Sequence, residues 1–243
     1  MKHLPNTITL CNLVSGCVAT YFALQANYQM ALAFIVIGAA FDFLDGFVAR
    51  LLGVSSVIGK ELDSLADDIT FGLAPASIVF SMLQSTVHLT ATHCGFGPLL
   101  TDLLPFTAFL IAAFSGLRLA KFNVDERQTT SFIGLPTPAN ALFWGALALG
   151  LCESGRLCQT DAAPYLTAAL LLGVVLSSWL LVSEIPMFAL KFKTFDLMSN
   201  VLRYTFILIA AVLLLFLGIK GFAAVIVLYV LVSVANSYLL KGK

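Results

Sequence analysis

Charged side chains are scarce in this chain of 243 residues. They make up 11% of it, where a soluble domain carries about 25%. Lys plus Arg and Asp plus Glu number 13 each, so there is no net charge and no strong field for binding nucleic acid. Together with a mean hydropathy of +0.98, the shortage of charge excludes a water-soluble globular protein and a disordered chain.

Cysteine is also infrequent. The five cysteines show no metal-ligand spacing, which argues against a zinc site. Cys152 and Cys158 are expected on the outer side of a membrane, where either a disulfide or two free thiols would fit the sequence. Histidine is rarer still, and His3, His88 and His93 are expected to lie away from the candidate site.

In place of charge the chain has long apolar runs. Each of eight runs is about long enough to cross a bilayer as a helix, and none alternates with the period of two typical of a membrane barrel. They cover about residues 7–25, 28–51, 62–86, 101–120, 136–152, 163–183, 201–219 and 221–240. The sequence therefore predicts an all-α membrane protein: a polytopic helical bundle of about eight transmembrane helices in one domain, residues 1–243.

The basic residues predict how this bundle is oriented. If both termini are cytoplasmic, 11 of the 13 Lys and Arg residues lie on that side, as the positive-inside rule requires. The cytoplasmic group is Lys2, Arg50, Lys60, Arg118, Lys121, Arg127, Lys191, Lys193, Arg203, Lys241 and Lys243. Only Arg156 and Lys220 would lie outside, and this division needs an even number of spans.

Four acids interrupt the apolar pattern. Asp42 and Asp45 lie near the cytoplasmic end of the second run, and Asp63 and Asp67 near the start of the third. Their spacings of three and four residues place each pair on one helix face, and the short turn between the runs brings the two faces together. Ionisable groups within a span indicate a functional site.

Four neighbouring carboxylates would repel one another unless cations separate them. Hard oxygen ligands favour Mg²⁺ or Mn²⁺, and the sequence leaves open which. Two such ions about 4 Å apart commonly serve displacement at phosphorus, so we predict a site for two divalent ions. Beside it, Gly46, Ala49 and Gly59 leave room for a phosphorylated ligand, and Arg50 offers a fork of donors for phosphate.

The stretch 42–67 has a recognisable pattern. It reads Asp-Phe-Leu-Asp-Gly-Phe-Val-Ala-Arg, then eight residues, then Gly-Lys-Glu-Leu-Asp-Ser-Leu-Ala-Asp. Without departure it resembles the D-x-x-D-G-x-x-A-R-x8-G-x3-D-x3-D signature of the CDP-alcohol phosphatidyltransferases. That resemblance implies a six-helix core, here with two additional C-terminal helices at about 201–240. It also implies displacement of CMP from a CDP-linked lipid or alcohol by a second alcohol, and a homodimer.

Further segments narrow the resemblance to one branch of the family. They are Pro5-Asn6-Thr7, Phe71-Gly72, Arg118-Leu119-Ala120-Lys121-Phe122-Asn123 and Phe132-Ile133-Gly134-Leu135-Pro136-Thr137-Pro138-Ala139. These are similar to the membrane-bound phosphatidylserine synthases of bacteria and archaea. The implied substrates are CDP-diacylglycerol and L-serine, with the active site on the cytoplasmic side of the cell inner membrane. Asp68 departs from the pattern, which usually has an apolar residue there, and we expect it to be a solvated or helix-capping neighbour.

The resemblance also implies residue roles. Asp67 would be the general base and would share a metal ion held by Asp42, Asp45 and Asp63. The implied CDP-binding set is Thr9, Asn12, Gly46, Ala49, Arg50, Ser56 and Gly59. Candidates for binding serine or lipid phosphate are Arg118, Lys121, Asn123, Thr137, Asn140 and Lys193. Asn12 would serve equally well to satisfy a neighbouring backbone group, and Arg118 and Lys121 to anchor the cytoplasmic edge.

Three other functions stay open at this stage. The acceptor alcohol would be glycerol 3-phosphate, an inositol phosphate or choline in other members of the family, although a phosphorylated acceptor calls for more basic residues than this chain shows. A metal-ion transporter would also place acids within the membrane, but distributed through its depth. A purely structural bundle would use the small residues for helix packing.

Overall fold

A computed structural model describes residues 3–54, 56–95, 97–125, 132–187 and 200–241. These residues form helices and one pair of very short strands. In chain order the elements are α1 (Leu4–Leu24), α2 (Tyr28–Leu52), α3 (Val57–Asp67), α4 (Ala74–Cys94), α5 (Pro98–Leu103), α6 (Leu110–Val124), β1 (Phe132–Ile133), α7 (Thr137–Glu153), α8 (Ala163–Val182), β2 (Pro186–Met187), α9 (Val201–Leu217) and α10 (Gly221–Lys241). A π-helical segment covers Asp68–Leu73, and 3₁₀ turns cover Leu104–Phe109, Arg156–Cys158 and Gly218–Lys220.

The helices are those of a multi-pass membrane protein. Six helical stretches among the described residues are long and apolar enough to cross a bilayer: Leu4–Leu24, Tyr28–Leu52, Val57–Thr92, Pro98–Val124, Ala163–Val182 and Val201–Ser237. The last of them contains both α9 and α10, and α7 has 17 residues. Each predicted apolar run coincides with a helical stretch, while eight crossings and cytoplasmic termini stay predictions.

Local signals set the ends of the helices that carry the acids. The Asn27 side chain accepts a hydrogen bond from the Met30 N–H (3.2 Å) and so caps the start of α2. Helix α2 ends at Leu52 and is capped by Gly53, whose φ of +62° is left-handed and favours glycine. Ser56 then caps α3 by accepting from the Gly59 N–H at 2.9 Å. The chain therefore leaves α2 and enters α3 within a few residues, and α1 packs against both.

The continuous helical stretch from α3 through the π-helical segment into α4 forms the centre of the bundle. Buried residues make up 72% of its apolar window, compared with 11% for Val201–Ser237. Helices α1, α7 and α8 pack around α4, and α6 packs along the π-helical segment. Residues at the start of this central stretch therefore face several helices at once.

One short strand pair was not expected from the sequence. Phe132 pairs with Met187 and Ile133 with Pro186 in antiparallel register, which ties the chain before α7 to the chain after α8. A second hydrophobic cluster, separate from the main core, joins this pair to the last two helices. It consists of Leu135, Met187, Phe206, Val225 and Tyr229.

Candidate active site

Three of the four predicted acids converge at the cytoplasmic end predicted for α2 and α3. Carboxylate oxygens of Asp42, Asp63 and Asp67 all lie within 4.8 Å of one another. The side chain of Asp45, on the same helix as Asp42, instead accepts a hydrogen bond from the Thr9 hydroxyl at 2.6 Å. The sequence predicted that all four acids take part in one metal site, and the structure has a group of three and a fourth that faces α1.

A chain of hydrogen bonds from α1 fixes the position of Asp67. The Asn12 amide donates to Asp67 Oδ1 at 3.1 Å, and the Thr70 hydroxyl donates to Asn12 Oδ1 at 2.8 Å. Asn12 and Thr70 are both fully buried. The contact from Thr70 decides which end of the Asn12 amide faces Asp67, so Asn12 orients an acid in addition to any role toward the nucleotide.

Sequence reasoning missed Thr70. Its position three residues after Asp67 on one helix face was the available signal. The hydroxyl reaches Asn12 because Gly16 on α1 and Gly38 on α2 let both helices approach Thr70 in the π-helical segment closely. A Cβ atom on Gly16 would lie 2.8 Å from the Thr70 Cα, and one on Gly38 would lie 2.5 Å from the Thr70 Cγ2.

An open cavity of about 870 Å³ adjoins the acids on the side of α1. Five members of the predicted CDP-binding set line it, together with Asp45 and Asp63. Those five are Thr9, Gly46, Ala49, Ser56 and Gly59. Arg50 is exposed at the end of α2, and its Nη1 atom lies 3.5 Å from the position of a Cβ on Gly46.

Among the other residues that line this cavity are three polar ones that were not predicted as site residues: His3, Asn6 and Lys60. The expectation that His3 lies away from the acids was wrong, because the first turn of α1 borders the cavity. Gly59 is confined between Ser56 and Asn6, since a Cβ there would lie 3.0 Å from Ser56 Oγ and 3.1 Å from Asn6 Oδ1.

A second polar group lies where α6 meets α7. Arg118 is buried, interacts electrostatically with Asp67, and donates from Nη1 to the Thr137 hydroxyl at 3.4 Å. Asn140 is fully buried one turn further along α7. The Arg118 Nε atom and both polar atoms of the Asn140 amide have no hydrogen-bond partner. Buried donors and acceptors of this kind are normally satisfied, so they mark a place for a polar ligand or water.

The other predicted serine-site residues lie elsewhere. Asn123 ties α6 to α3, because its side-chain amide donates to Ser64 Oγ at 2.8 Å and its backbone carbonyl accepts from Lys60 Nζ at 3.0 Å. Lys121 is exposed. Lys193 lies outside the described residues.

The group of three acids fits a divalent cation. Asp63 Oδ1 is buried and has no hydrogen-bond partner. Mutual repulsion among neighbouring carboxylates would be relieved by a cation, and carboxylate oxygens are the ligands that Mg²⁺ and Mn²⁺ prefer. Asp42, Asp63 and Asp67 would hold such an ion.

Comparisons with a protein-family model and with known proteins all point to one family. The model of the family "CDP-alcohol phosphatidyltransferase" matches residues 2–185. A Bacillus subtilis protein is 35% identical over 138 residues, or 57% of this chain and 71% of that protein. A Mycobacterium tuberculosis protein is 34% identical over 248 residues, or 96% and 74%. A Mycobacterium leprae protein is 36% identical over 195 residues, or 77% and 58%. All three relatives are named CDP-diacylglycerol--serine O-phosphatidyltransferase.

Proposed function

The chain belongs to the CDP-alcohol phosphatidyltransferase family, and from this premise we propose that it transfers the phosphatidyl group of CDP-diacylglycerol to the hydroxyl of L-serine. The products are phosphatidylserine and CMP. The names of the relatives support serine as the acceptor. The observation that carries the proposal is the convergence of Asp42, Asp63 and Asp67 beside a cavity large enough for a nucleotide.

Two divalent ions, Mg²⁺ or Mn²⁺, would be held by Asp42, Asp45 and Asp63, with Asp67 sharing the second. When bound, they would stabilise negative charge on the diphosphate and on the departing CMP. Asp45 would reach its ligand position with the Thr9 hydroxyl still bonded to one of its oxygens. Thr9 would thereby orient a metal ligand as well as border the nucleotide.

Asp67 is the proposed general base. Its Oδ1 accepts from Asn12, which leaves Oδ2 to take the proton of the serine hydroxyl as that oxygen attacks phosphorus. Because Asn12 is itself held by Thr70, the carboxylate has little freedom to rotate. Fixed orientation of a base toward its substrate is a main source of rate enhancement.

The cavity on the α1 side is the proposed site for the cytidine diphosphate group. Gly46, Ala49 and Gly59 would allow the ligand to approach the backbone, with Thr9 and Ser56 as hydrogen-bonding side chains. Arg50 would bind a phosphate group of the ligand from the rim of the cavity. Asn12, the remaining member of the predicted CDP-binding set, would act indirectly, by holding Asp67 in position.

The acceptor would bind on the α6 and α7 side of the acids. The proposed contacts are Arg118 for the serine carboxylate, with Thr137 and Asn140 as further polar contacts to the substrate. Three properties of Arg118 support this assignment: it is buried, it interacts with Asp67, and its Nε–H has no hydrogen-bond partner. Lys121 and Asn123, near the end of α6, are proposed contacts for the lipid phosphate. Lys193 is proposed for the same role from the sequence alone.

Replacing Arg118 with Lys is expected to raise the KM for L-serine by at least about tenfold, with kcat changed by less than about threefold. A guanidinium can grip a carboxylate with two parallel hydrogen bonds, which an ammonium cannot. The measurement is CMP release at varied serine concentration. Arg156→Lys, an exposed basic residue elsewhere, is the matched control and should keep the wild-type KM. An unchanged KM accompanied by a lower melting temperature would assign Arg118 to structural anchoring.

The reaction itself is tested by supplying purified protein with CDP-diacylglycerol and one acceptor at a time. CMP release should need L-serine and a divalent ion, and glycerol 3-phosphate, inositol phosphate and choline should not replace serine. Release with glycerol 3-phosphate but not with serine would overturn the proposal. Metal uptake into liposomes without nucleotide would favour the transporter alternative.

The chain is proposed to cross the cell inner membrane eight times, as a single domain over residues 1–243 with its active site on the cytoplasmic side. The last two helices, about 201–240, lie beyond the family match at 2–185 and would be an addition to a six-helix core. Reporter domains fused to either terminus should therefore report a cytoplasmic location. A periplasmic signal from only one terminus would rule out an even number of spans.

A further inference from the structure

The carboxylate next to the proposed base points to a different part of the bundle. Asp67 faces Asn12 on α1, whereas Asp68 faces α6. A Cβ atom on Gly72 would lie 2.6 Å from Asp68 Oδ1, and one on Gly116 would lie 3.3 Å from Asp68 Oδ2. Two glycines therefore enclose this carboxylate. Asp68 is the residue at the C-terminal cap of α3, but its Oδ1 is not solvated: that atom is buried and has no hydrogen-bond partner.

A second unpartnered oxygen lies at the same place. Ser115 is fully buried, its Oγ has no partner, and its Cβ lies 3.0 Å from the position of a Cβ on Gly72. A buried helical hydroxyl ordinarily donates to a carbonyl of its own helix. Ser77 and Thr90 do so in this chain, at 2.9 Å and 2.7 Å. Ser115 does not, which leaves its hydroxyl available to a ligand beside Asp68.

A charged carboxylate oxygen without a partner is costly in the interior of a membrane protein, so a cation or donor is expected beside it. The helix is also irregular there, because the π-helical segment begins at Asp68. Such segments often occur at functional sites, and irregular helical backbone in membrane proteins commonly supplies carbonyl oxygens to cations.

We propose that Asp68 and Ser115 form a binding site for one small monovalent cation, between the π-helical segment and α6. One carboxylate balances one positive charge, whereas divalent ions are usually held by several carboxylates, as at Asp42, Asp63 and Asp67. Na⁺ and the ammonium group of the acceptor carry the same charge and suit the same oxygens. The Na⁺ form is independent of the proposed function, and the ammonium form rests on it.

The test is thermal unfolding of the purified full-length protein in detergent with EDTA, comparing NaCl with choline chloride at equal ionic strength. Wild type should melt about 3 °C higher in Na⁺, the size expected for a ligand at about tenfold its Kd. Asp68→Asn should abolish the difference. This variant should also be at least as stable as wild type in choline, because an uncompensated carboxylate has been removed. Ser115→Ala should keep the response but require several-fold more Na⁺.

Two control variants separate this site from the rest of the molecule. Asp63→Asn weakens the group of three acids and should leave the Na⁺ response intact. Asp102→Asn removes an exposed acid on α5 and should do the same. Loss of the response in Asp63→Asn with its retention in Asp68→Asn would overturn the proposal, since Na⁺ would then bind at the other acids.

Repeating the melting experiment with L-serine in place of Na⁺ shows whether the bound cation is Na⁺ or the ammonium group of the acceptor. A melting shift produced by serine in wild type but not in Asp68→Asn, with no response to Na⁺, would identify the ligand as the ammonium group. If neither Na⁺ nor serine distinguishes wild type from Asp68→Asn, the site holds only water and the proposal fails. No turnover is measured, so this result does not depend on whether the proposed transferase reaction is correct.

Discussion

Asp67→Asn is expected to lower phosphatidyl transfer by at least about 10³-fold while the protein stays folded. The substitution removes the proton acceptor and one charged metal ligand. It keeps the size of the side chain and an oxygen that can accept from the Asn12 amide, so the hydrogen bonds from α1 need not change. In the absence of divalent ions the variant should melt no lower than wild type, because one of three neighbouring carboxylates has lost its charge.

Two further variants make the Asp67 result specific. Asp67→Glu keeps the charge but moves the carboxylate, and should still lose about 10²-fold because position is what the base supplies. Glu61→Gln removes an exposed acid of the same helix and should keep wild-type activity. CMP release under saturating substrates is the measurement for all three. Activity of Asp67→Asn within about tenfold of wild type would contradict the assignment of the base and revive a structural role for the acids.

The sequence predicted the helical bundle and the acids because both depend on short-range patterns. Apolar runs of bilayer length identify the helices, and spacings of three and four residues place Asp42 with Asp45 and Asp63 with Asp67 on common faces. Periodicity does not say what each face meets. Thr9, on α1, donates a hydrogen bond to Asp45. Asp45 is therefore separated from the group formed by the other three acids.

Two other features depended on information that the local pattern does not contain. Regular helical geometry stops at Asp67, where the π-helical segment begins, and so the direction of Asp68 could not be extrapolated from its neighbour. The strand pair joins Phe132 to Met187 and Ile133 to Pro186, segments too far apart in sequence for a turn signal to link them. His3 was misjudged for a related reason: a position near the chain start was taken to mean distance from the site, but α1 begins at the cavity.

Gly16→Ala and Gly38→Ala are expected to lower activity by about 10²-fold, because each added methyl group would displace Thr70 and with it Asn12 and Asp67. Overpacking of this kind also costs about 1–3 kcal/mol in the free energy of unfolding. On Gly16 the new Cβ would meet the Thr70 Oγ1 most closely, and it would lie 2.8 Å from the Thr70 Cα and 2.9 Å from the backbone nitrogen. On Gly38 it would lie 2.5 Å from the Thr70 Cγ2 and 2.9 Å from Asn12 Oδ1.

Because the two added methyl groups would come closest to different atoms of Thr70, a second substitution at Thr70 should rescue one glycine variant and not the other. Thr70→Ser removes the Cγ2 atom, the closest contact of the Gly38→Ala methyl group, but keeps the hydroxyl that donates to Asn12. It should therefore restore part of the activity of Gly38→Ala, whose remaining close contact is with Asn12 Oδ1. It should not restore Gly16→Ala, because the hydroxyl oxygen and the backbone atoms of residue 70 remain in the way. Initial rates and melting temperatures of the two double variants, each compared with Thr70→Ser alone, measure the effect. Equal rescue of both glycine variants would contradict this prediction, because it would show that the Cγ2 atom alone, and neither the hydroxyl nor the backbone of Thr70, is what each added methyl group displaces.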